Sequence, residues 1–368
     1  MLLTSIKTKL KLTSSQKIMM SKHAGISRFI YNWGLATWQA LYREGYQPSH
    51  LILKKFFNNE VKPTLPWIKE KGICQKITEF AFNNLGKAFK NFFDKRAEYP
   101  KFKRKGKNDS FTINASGRPI NIGGKRIKLP TIGWVSTHEI LPHTTTKTLT
   151  VSRTAGDWYI SFSYEIEPEI TQKQYDYVGV DVGIKTLATL STGVVFLNPK
   201  ASRGARKKLA FLQRQLSRKV RGSNRYQKQK LRISKLHRRI RNIRRDATHK
   251  ATTFICKNHA VVALEDLNTS GMLKNHKLAG AISDANFYEF RRQVEYKVIR
   301  YGGIVIKVDR FYPSSKTCSN CGEIQEISLS ERVYVCKKCQ YTADRDLNAS
   351  KNLEKYARLA KPCLDVKG

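Results

Sequence analysis

Three short apolar runs set between helical stretches restrict this 368-residue chain more than any other feature. The first, YVGVDVGIKTLATLSTGVVFL (177–197), places Val178, Val180 and Val182 on one strand face and Asp181 on the other. Ser191-Thr192-Gly193 then turns the chain between two later strands, so the segment reads as a β-meander. The second run, AVVALE (260–265), is apolar without alternation, as expected of a strand buried in a parallel sheet. A helical stripe of Phe287, Phe290, Val294, Val298 and Tyr301 ends at Gly302-Gly303 and feeds the third run, IVIKV (304–308). A last helix begins near Asp344.

The first half has a different texture. Ile6, Thr8, Leu10 and Leu12 alternate with Lys7, Lys9 and Lys11 as in a strand with one basic face. Thr13-Ser14-Ser15-Gln16 offers an N-cap, and Ile26, Phe29, Trp33, Thr37 and Leu41 follow at helical spacing. Phe82, Leu85, Phe89 and Phe92 predict a further helix near 76–98. From 110 to 167 the chain turns to antiparallel β: Trp158, Ile160, Phe162, Tyr164 and Ile166 alternate after a turn at Ala155-Gly156-Asp157. The polar stretch TQKQYD from Thr171 is the expected domain boundary.

The second half follows the order β-β-β-helix-β-helix-β-helix, which is that of the ribonuclease H-like fold, with two insertions. One is a basic helical hairpin: residues 200–250 hold 20 Lys and Arg against the single acid Asp246. Leu209, Leu212 and Leu216, then Ile233, Leu236, Ile240 and Ile243, keep heptad-like spacing on either side of Gly222-Ser223-Asn224. The other insertion is rich in cysteine.

In this fold the strands carrying Asp181 and Glu265 are parallel neighbours, which brings both acids to one end of the sheet. Gly183 is expected to let a backbone or a phosphate come close. Carboxylates so placed repel in a low dielectric, and a divalent cation relieves the conflict. Hard oxygen ligands select Mg²⁺ or Mn²⁺. DRDLNAS supplies a third acid: Asp346 shares a helix face with Ser350, Leu353 and Ala357, while Asp344 lies roughly 160° away and suits an N-cap.

Cys318-Ser-Asn-Cys321 and Cys336-Lys-Lys-Cys339 stand 14 residues apart, the spacing of a tetrahedral structural Zn²⁺ site, with Gly322 at the knuckle turn. Four thiolate ligands leave no open coordination position for hydrolysis. Cys74, Cys256 and Cys363 have no partners by spacing and are expected to pack.

Lys and Arg number 69 against 28 Asp and Glu, a formal charge of +41. A compact body with that excess repels itself and calls for a polyanion. Apolar residues make up 40% and aromatics 10%, too many for a disordered basic tail. No apolar run approaches the ~18 residues of a membrane span, and the opening MLLTSIKTKLKL has no signal-peptide stretch. The odd cysteine count, seven, disfavours a secreted disulfide scaffold. The expected class is soluble, cytoplasmic, nucleoid-associated and nucleic-acid-binding, with no membrane partner. Candidate phosphate contacts are Lys101, Lys103, Arg104 and Lys105 in YPKFKRKGK (99–107), and Arg218, Lys219, Arg221, Arg238, Arg239 and Arg244 in the hairpin. Tyr99 and Phe102 either stack on bases or pack.

With these motifs in view, the chain resembles the TnpB family of transposon-encoded RNA-guided nucleases, related to the type V CRISPR effectors. The resemblance rests on GVDVGIKTLAT (179–189), ALEDLN (263–268), YPSSKTCSNCG (312–322) and TADRDLNASKNL (342–353). RFIYNW (28–33), YPKFKRKGKNDSF (99–111) and IKLPTIGWV (127–135) extend it over nearly the whole chain. Ser350 stands where many members have Ala. The resemblance implies a wedge β-barrel from residues 1–12 and 101–170 and a helical recognition layer from 13–100. It further implies a RuvC nuclease at 171–312 interrupted by the hairpin 200–250, a zinc ribbon at 313–341, and a RuvC helix and tail at 342–368. Members bind a guide RNA from the transposon end, recognise a short adjacent motif and cut double-stranded and single-stranded DNA. The family triad maps to Asp181, Glu265 and Asp346 holding two Mg²⁺ ions, with Mn²⁺ an alternative, in a chain expected to be monomeric. Competing readings are a catalytically silent RNA-guided regulator, a strand-transferring or transposase-associated DNA-binding protein, and a protein-only nuclease. The three acids weigh against the first and the zinc ribbon's placement against the second.

Overall fold

The computed structural model describes residues 1–107, 109–114, 119–328 and 331–360. The chain divides into two compact units, Met1–Ile166 and Glu167–Gly368. The division falls ahead of the boundary expected at Thr171. The connector is bound into the second unit: the Lys173 ammonium donates to the carbonyls of Cys256 (2.8 Å) and Tyr301 (2.7 Å).

In the first unit β1 (Leu2–Lys11) leads into α1 (Ser14–Arg43) through a capping box. The Thr13 hydroxyl accepts the Gln16 N–H while the Gln16 side chain accepts the Thr13 N–H. α2 (His50–Phe56) and α3 (Ile77–Phe93) pack on α1 around Ile30, Leu35, Leu53, Phe57, Phe82 and Leu85. Strands β2 (Ser110–Asn114), β3 (Ile120–Leu129), β4 (Gly133–Thr146), β5 (Thr148–Thr154) and β6 (Asp157–Ile166) join β1 in one antiparallel sheet. Its order is β2-β5-β6-β1-β4-β3. The expected barrel would need β2 bonded to β3, and that pair is not among those of the described residues.

In the second unit β7 (Tyr175–Asp181), β8 (Thr186–Leu190) and β9 (Val195–Leu197) form the antiparallel meander. α4 (Ala201–Ser217) and α5 (Asn224–Asn258) form the basic hairpin, with Ser223 capping the second arm. That arm does not stop near residue 250. It runs on as one 35-residue helix whose later turns bury Thr248, Ala251, Thr252, Ile255 and Cys256. β10 (His259–Glu265) then enters the sheet, followed by the short helices α6 (Thr269–Met272) and α7 (Ala279–Ala285), α8 (Phe287–Arg300) and β11 (Ile304–Val308). The ribbon β12 (Val333–Val335) and β13 (Thr342–Asp344) precedes α9 (Arg345–Leu359).

The sheet order is β11-β10-β7-β8-β9, with β10 parallel to both β7 and β11, as the ribonuclease H-like reading requires. Alternation decides what each face meets. Val178, Val180, Val262 and Leu264 pack against Ala251, Ile255, Val294 and Val298 of α5 and α8. Val261, Ala263 and Val308 meet Leu353 and Ala357 of α9 on the other face. Asp181 and Glu265 therefore belong to the face that α9 covers. Among the described residues no helix is long and apolar enough to cross a membrane.

Candidate active site

Val180 pairs with Leu264 in the parallel register, so Asp181 and Glu265 occupy matching positions one residue further on, each at the end of its strand. Neighbouring strands lie about 4.8 Å apart, which sets the two carboxylates side by side. Gly179 brings in the third. A Cβ there would fall 1.8 Å from the Ser350 carbonyl oxygen and 2.5 Å from the Glu354 nitrogen, so the backbone of α9 rests directly on β7. Asp346 lies one helical turn before Ser350, which carries it toward the end of β7 where Asp181 sits. Ser350, Leu353 and Ala357 are all buried, so the face chosen from the sequence is the one that docks. Asp344 takes the N-cap role, accepting from the Asp346 (2.9 Å) and Leu347 (3.2 Å) N–H groups. The close approach belongs to Gly179. At Gly183 the nearest atom to a Cβ is the Thr186 carbonyl oxygen at 3.3 Å.

Burial pushes the Asp181 carboxyl well above the usual carboxylate range, and the charges of Glu265 and Asp346 push it further against a partial opposing effect of Arg345. Burial also raises Glu265, opposed by the Ser314 hydroxyl bonded to it. Two buried carboxyls raised in this way, with the Asp346 carboxylate close to Asp181, make a donor set suited to divalent cations. Their oxygens do not all fall within 4.8 Å of one another.

The four cysteines do crowd: one sulfur from each lies within 4.8 Å of the others. Cys318 Sγ is 3.7 Å from Cys339 Sγ and Cys321 Sγ 3.6 Å from Cys336 Sγ. A tetrahedron with Zn–S bonds of 2.3 Å has edges of about 3.8 Å, so the set fits a structural zinc ion. Gly322 (φ +81°) and Gln340 (φ +57°) follow the two pairs in the left-handed region and close matching knuckles. Their N–H groups donate to the carbonyls of Cys318 and Cys336, each at 3.0 Å. The Tyr341 backbone N–H lowers the Cys339 thiol while burial and the neighbouring sulfurs raise that of Cys321, so the thiols titrate as one set. Cys74 and Cys256 are buried, and burial lifts the Cys256 thiol to about 12, as inert packing demands. Cys363 lies outside the described residues.

The basic candidates separate into exposed and committed groups. Arg104, Lys105, Arg218, Arg221 and Arg239 are exposed, and Lys219 and Arg238 are half-buried. Lys101 pairs with Glu98 on the surface. Lys103 is not available to a phosphate. Its ammonium sits 3.9 Å from the centre of the Tyr31 ring, burial lowers it to about 8, and Asn32 clamps its backbone N–H and carbonyl. Arg244 is likewise an internal cation: it pairs with Asp284 at 2.7 Å, and Asp284 also accepts the Ser202 and Arg203 N–H groups at the start of α4. Sequence spacing carries no sign of these partners. Tyr99 packs edge-on against Phe89 and Phe92, while Phe102 is half exposed. The sequence reading also passed over a cavity of about 850 Å³ lined by Lys185, Lys200, Arg203, Arg206, Lys277 and Arg332. Its only sequence signal is the dense positive charge around α4.

Family profiles match three parts of the chain. "Probable transposase" (OrfB_IS605) covers residues 161–276, "Cas12f1-like, TNB domain" covers 287–353, and a "Helix-turn-helix domain" of the OrfB group covers 1–47. "Putative RNA-guided DNA endonuclease InsQ" of Escherichia coli K12 is 37% identical to this chain, covering 95% of it and 91% of the relative. The chain belongs to the TnpB family. A TnpB relative in Streptomyces pristinaespiralis, "Putative RNA-guided DNA endonuclease", is 34% identical over 96% of this chain and 89% of its own length. The Cas12f1 chain in a cryo-EM structure of a Cas12f1–sgRNA–target DNA complex shares the fold. Its TM-score is 0.58 at 12% identity, covering 96% of this chain and 98% of that one. In this TnpB member the region matched as helix-turn-helix is β1 followed by the single 30-residue helix α1.

Proposed function

We propose that this TnpB member is an RNA-guided DNA endonuclease whose RuvC-type site is built from Asp181, Glu265 and Asp346. The observation that carries the reading is geometric: the parallel register sets Asp181 and Glu265 at matching strand ends, and α9, seated on Gly179, carries Asp346 toward them. Mg²⁺ ions held by the three carboxylates, or Mn²⁺ in their place, would supply Lewis-acid polarisation of the scissile phosphate. The chain's own residues do the positioning. β7 and β10 fix two carboxylates at matching heights, and α9, seated on Gly179, fixes the third. Lys185, Arg203 and Arg206 in the basic cavity, with the exposed arginines of α4 and α5, hold nucleic-acid phosphates. A guide RNA from the transposon end selects the target by base pairing, and the protein reads backbone shape and a short adjacent motif. The four-cysteine ribbon has a structural role.

The test uses the full-length protein purified with the RNA it carries from cells containing its flanking DNA. D181A is expected to bind that RNA and the matched DNA like the parent and to cut at least about 10³-fold more slowly. Retained cutting refutes the triad. Product ends should be hydrolysed and carry a 5′ phosphate, whereas joined ends would favour strand transfer. Cutting that survives complete ribonuclease treatment would overturn guidance by RNA.

A further inference from the structure

Glu265 is a long side chain at the end of a strand, and nothing in its own backbone holds its carboxylate in one rotamer. What holds it comes from the loop between β11 and the first cysteine pair. The Ser314 hydroxyl donates to Glu265 Oε1, and Ser314 is only 4% exposed. Its loop is in turn fixed at several points. Thr317 donates from its N–H (3.0 Å) and its hydroxyl (2.8 Å) to the Pro313 carbonyl. Asn352 of α9 donates to the carbonyls of Ser314 (2.8 Å) and Thr317 (2.6 Å). Asn348, one turn earlier, donates to the Thr317 carbonyl at 2.7 Å and accepts the Ser319 N–H at 2.9 Å. Both asparagines are buried, at 0% and 1% exposure, and their partners belong to Ser314, Thr317 and Ser319, the residues that lead up to and past Cys318. A buried amide must be paired, and these two are paired to the loop, so they tie it to α9.

We propose that Ser314 is a positioning residue for Glu265, locked in place by the Asn348–Asn352 stripe that joins the first cysteine knuckle to α9. The proposal rests on the acidic-site reading above and adds to it the group that orients one of its ligands. A hydroxyl donor on a metal-binding carboxylate fixes which oxygen remains free and spares the site the entropy of ordering a mobile Glu. α9 thereby serves both centres: Asp346 projects toward the end of β7, and Asn348 and Asn352 grip the cysteine loop.

The experiment measures Mn²⁺ binding by electron paramagnetic resonance on the full protein with its bound RNA and no DNA. D181A serves as the subtraction that removes ions held by RNA. In S314A the Asp181-dependent Mn²⁺ should need about 10-fold or more higher concentration for half-saturation. Zinc content and DNA affinity should match the parent, and S314T, which keeps the hydroxyl, should restore the parental titration. An S314A titration equal to the parent's overturns the proposal while leaving the triad standing. So does an S314T variant that retains zinc and DNA affinity yet titrates like S314A. If D181A itself removes no Mn²⁺ from the parent, the acidic-site reading fails and the proposal falls with it.

Discussion

An alanine at position 179 would set its Cβ 1.8 Å from a carbonyl oxygen of α9, and backbone cannot swing aside as a side chain can. G179A is expected to lower the stability of the second unit by about 3 kcal/mol or more, read from urea unfolding, and to lose cleavage. G183A meets its nearest atom at 3.3 Å and should be mild. The pair also shows where reading residues in order reaches its limit. Asp181 was legible because strand alternation set it opposite three valines, but which glycine a distant helix crosses depends on packing that no local pattern encodes. The same holds for Lys103 and Arg244, whose partners Tyr31 and Asp284 are far along the chain. The distinction is measurable. R239Q should reduce the salt dependence of nucleic-acid binding by about one phosphate contact, whereas R244Q should leave that slope unchanged and lower the unfolding midpoint.

At the scale of elements, periodicity predicted β1, α1, α3, the meander, α8 and α9 from their apolar faces, and unbroken apolar runs predicted β10 and β11. It passed over α2, α6 and α7, which are too short for a stripe, and it broke α5 where a basic surface gives way to a buried one. The buried part of α5 packs on α8 with a polar seam: the Lys297 ammonium donates to the His249 carbonyl (3.0 Å) and to the Thr252 hydroxyl (2.7 Å). Burial, with Lys297 and Arg245 nearby, holds the His249 ring down to about 4. An unfolded chain takes up that proton near 6.5, so the stability His249 confers is complete above pH 6.5 and drains as the pH falls toward 4. Chemical unfolding at pH 7 and pH 5 should therefore show a larger acid loss for the parent than for H249Q. Equal losses would mean that the ring titrates normally.

Across the whole molecule the formal charge of +41 has no internal counterweight. At low salt the RNA-free protein is expected to melt at a lower temperature than the same protein with RNA or heparin, and the gap should narrow as salt rises. A melting temperature indifferent to polyanion would contradict the assigned partner class. Charge of this size was plain from composition alone. The unit boundary was not, because Lys173 ties an apparently loose connector to two carbonyls of the second unit. One feature of that unit reaches from its surface to its centre. α5 is an unbroken rod of 35 residues, about 52 Å long, whose outer turns carry arginines and whose inner turns underlie the strands that end in Asp181 and Glu265. It has no hinge to absorb a load. Whatever engages the outer end is therefore joined by one stiff element to the strand ends that carry Asp181 and Glu265, as a tiller is to its rudder.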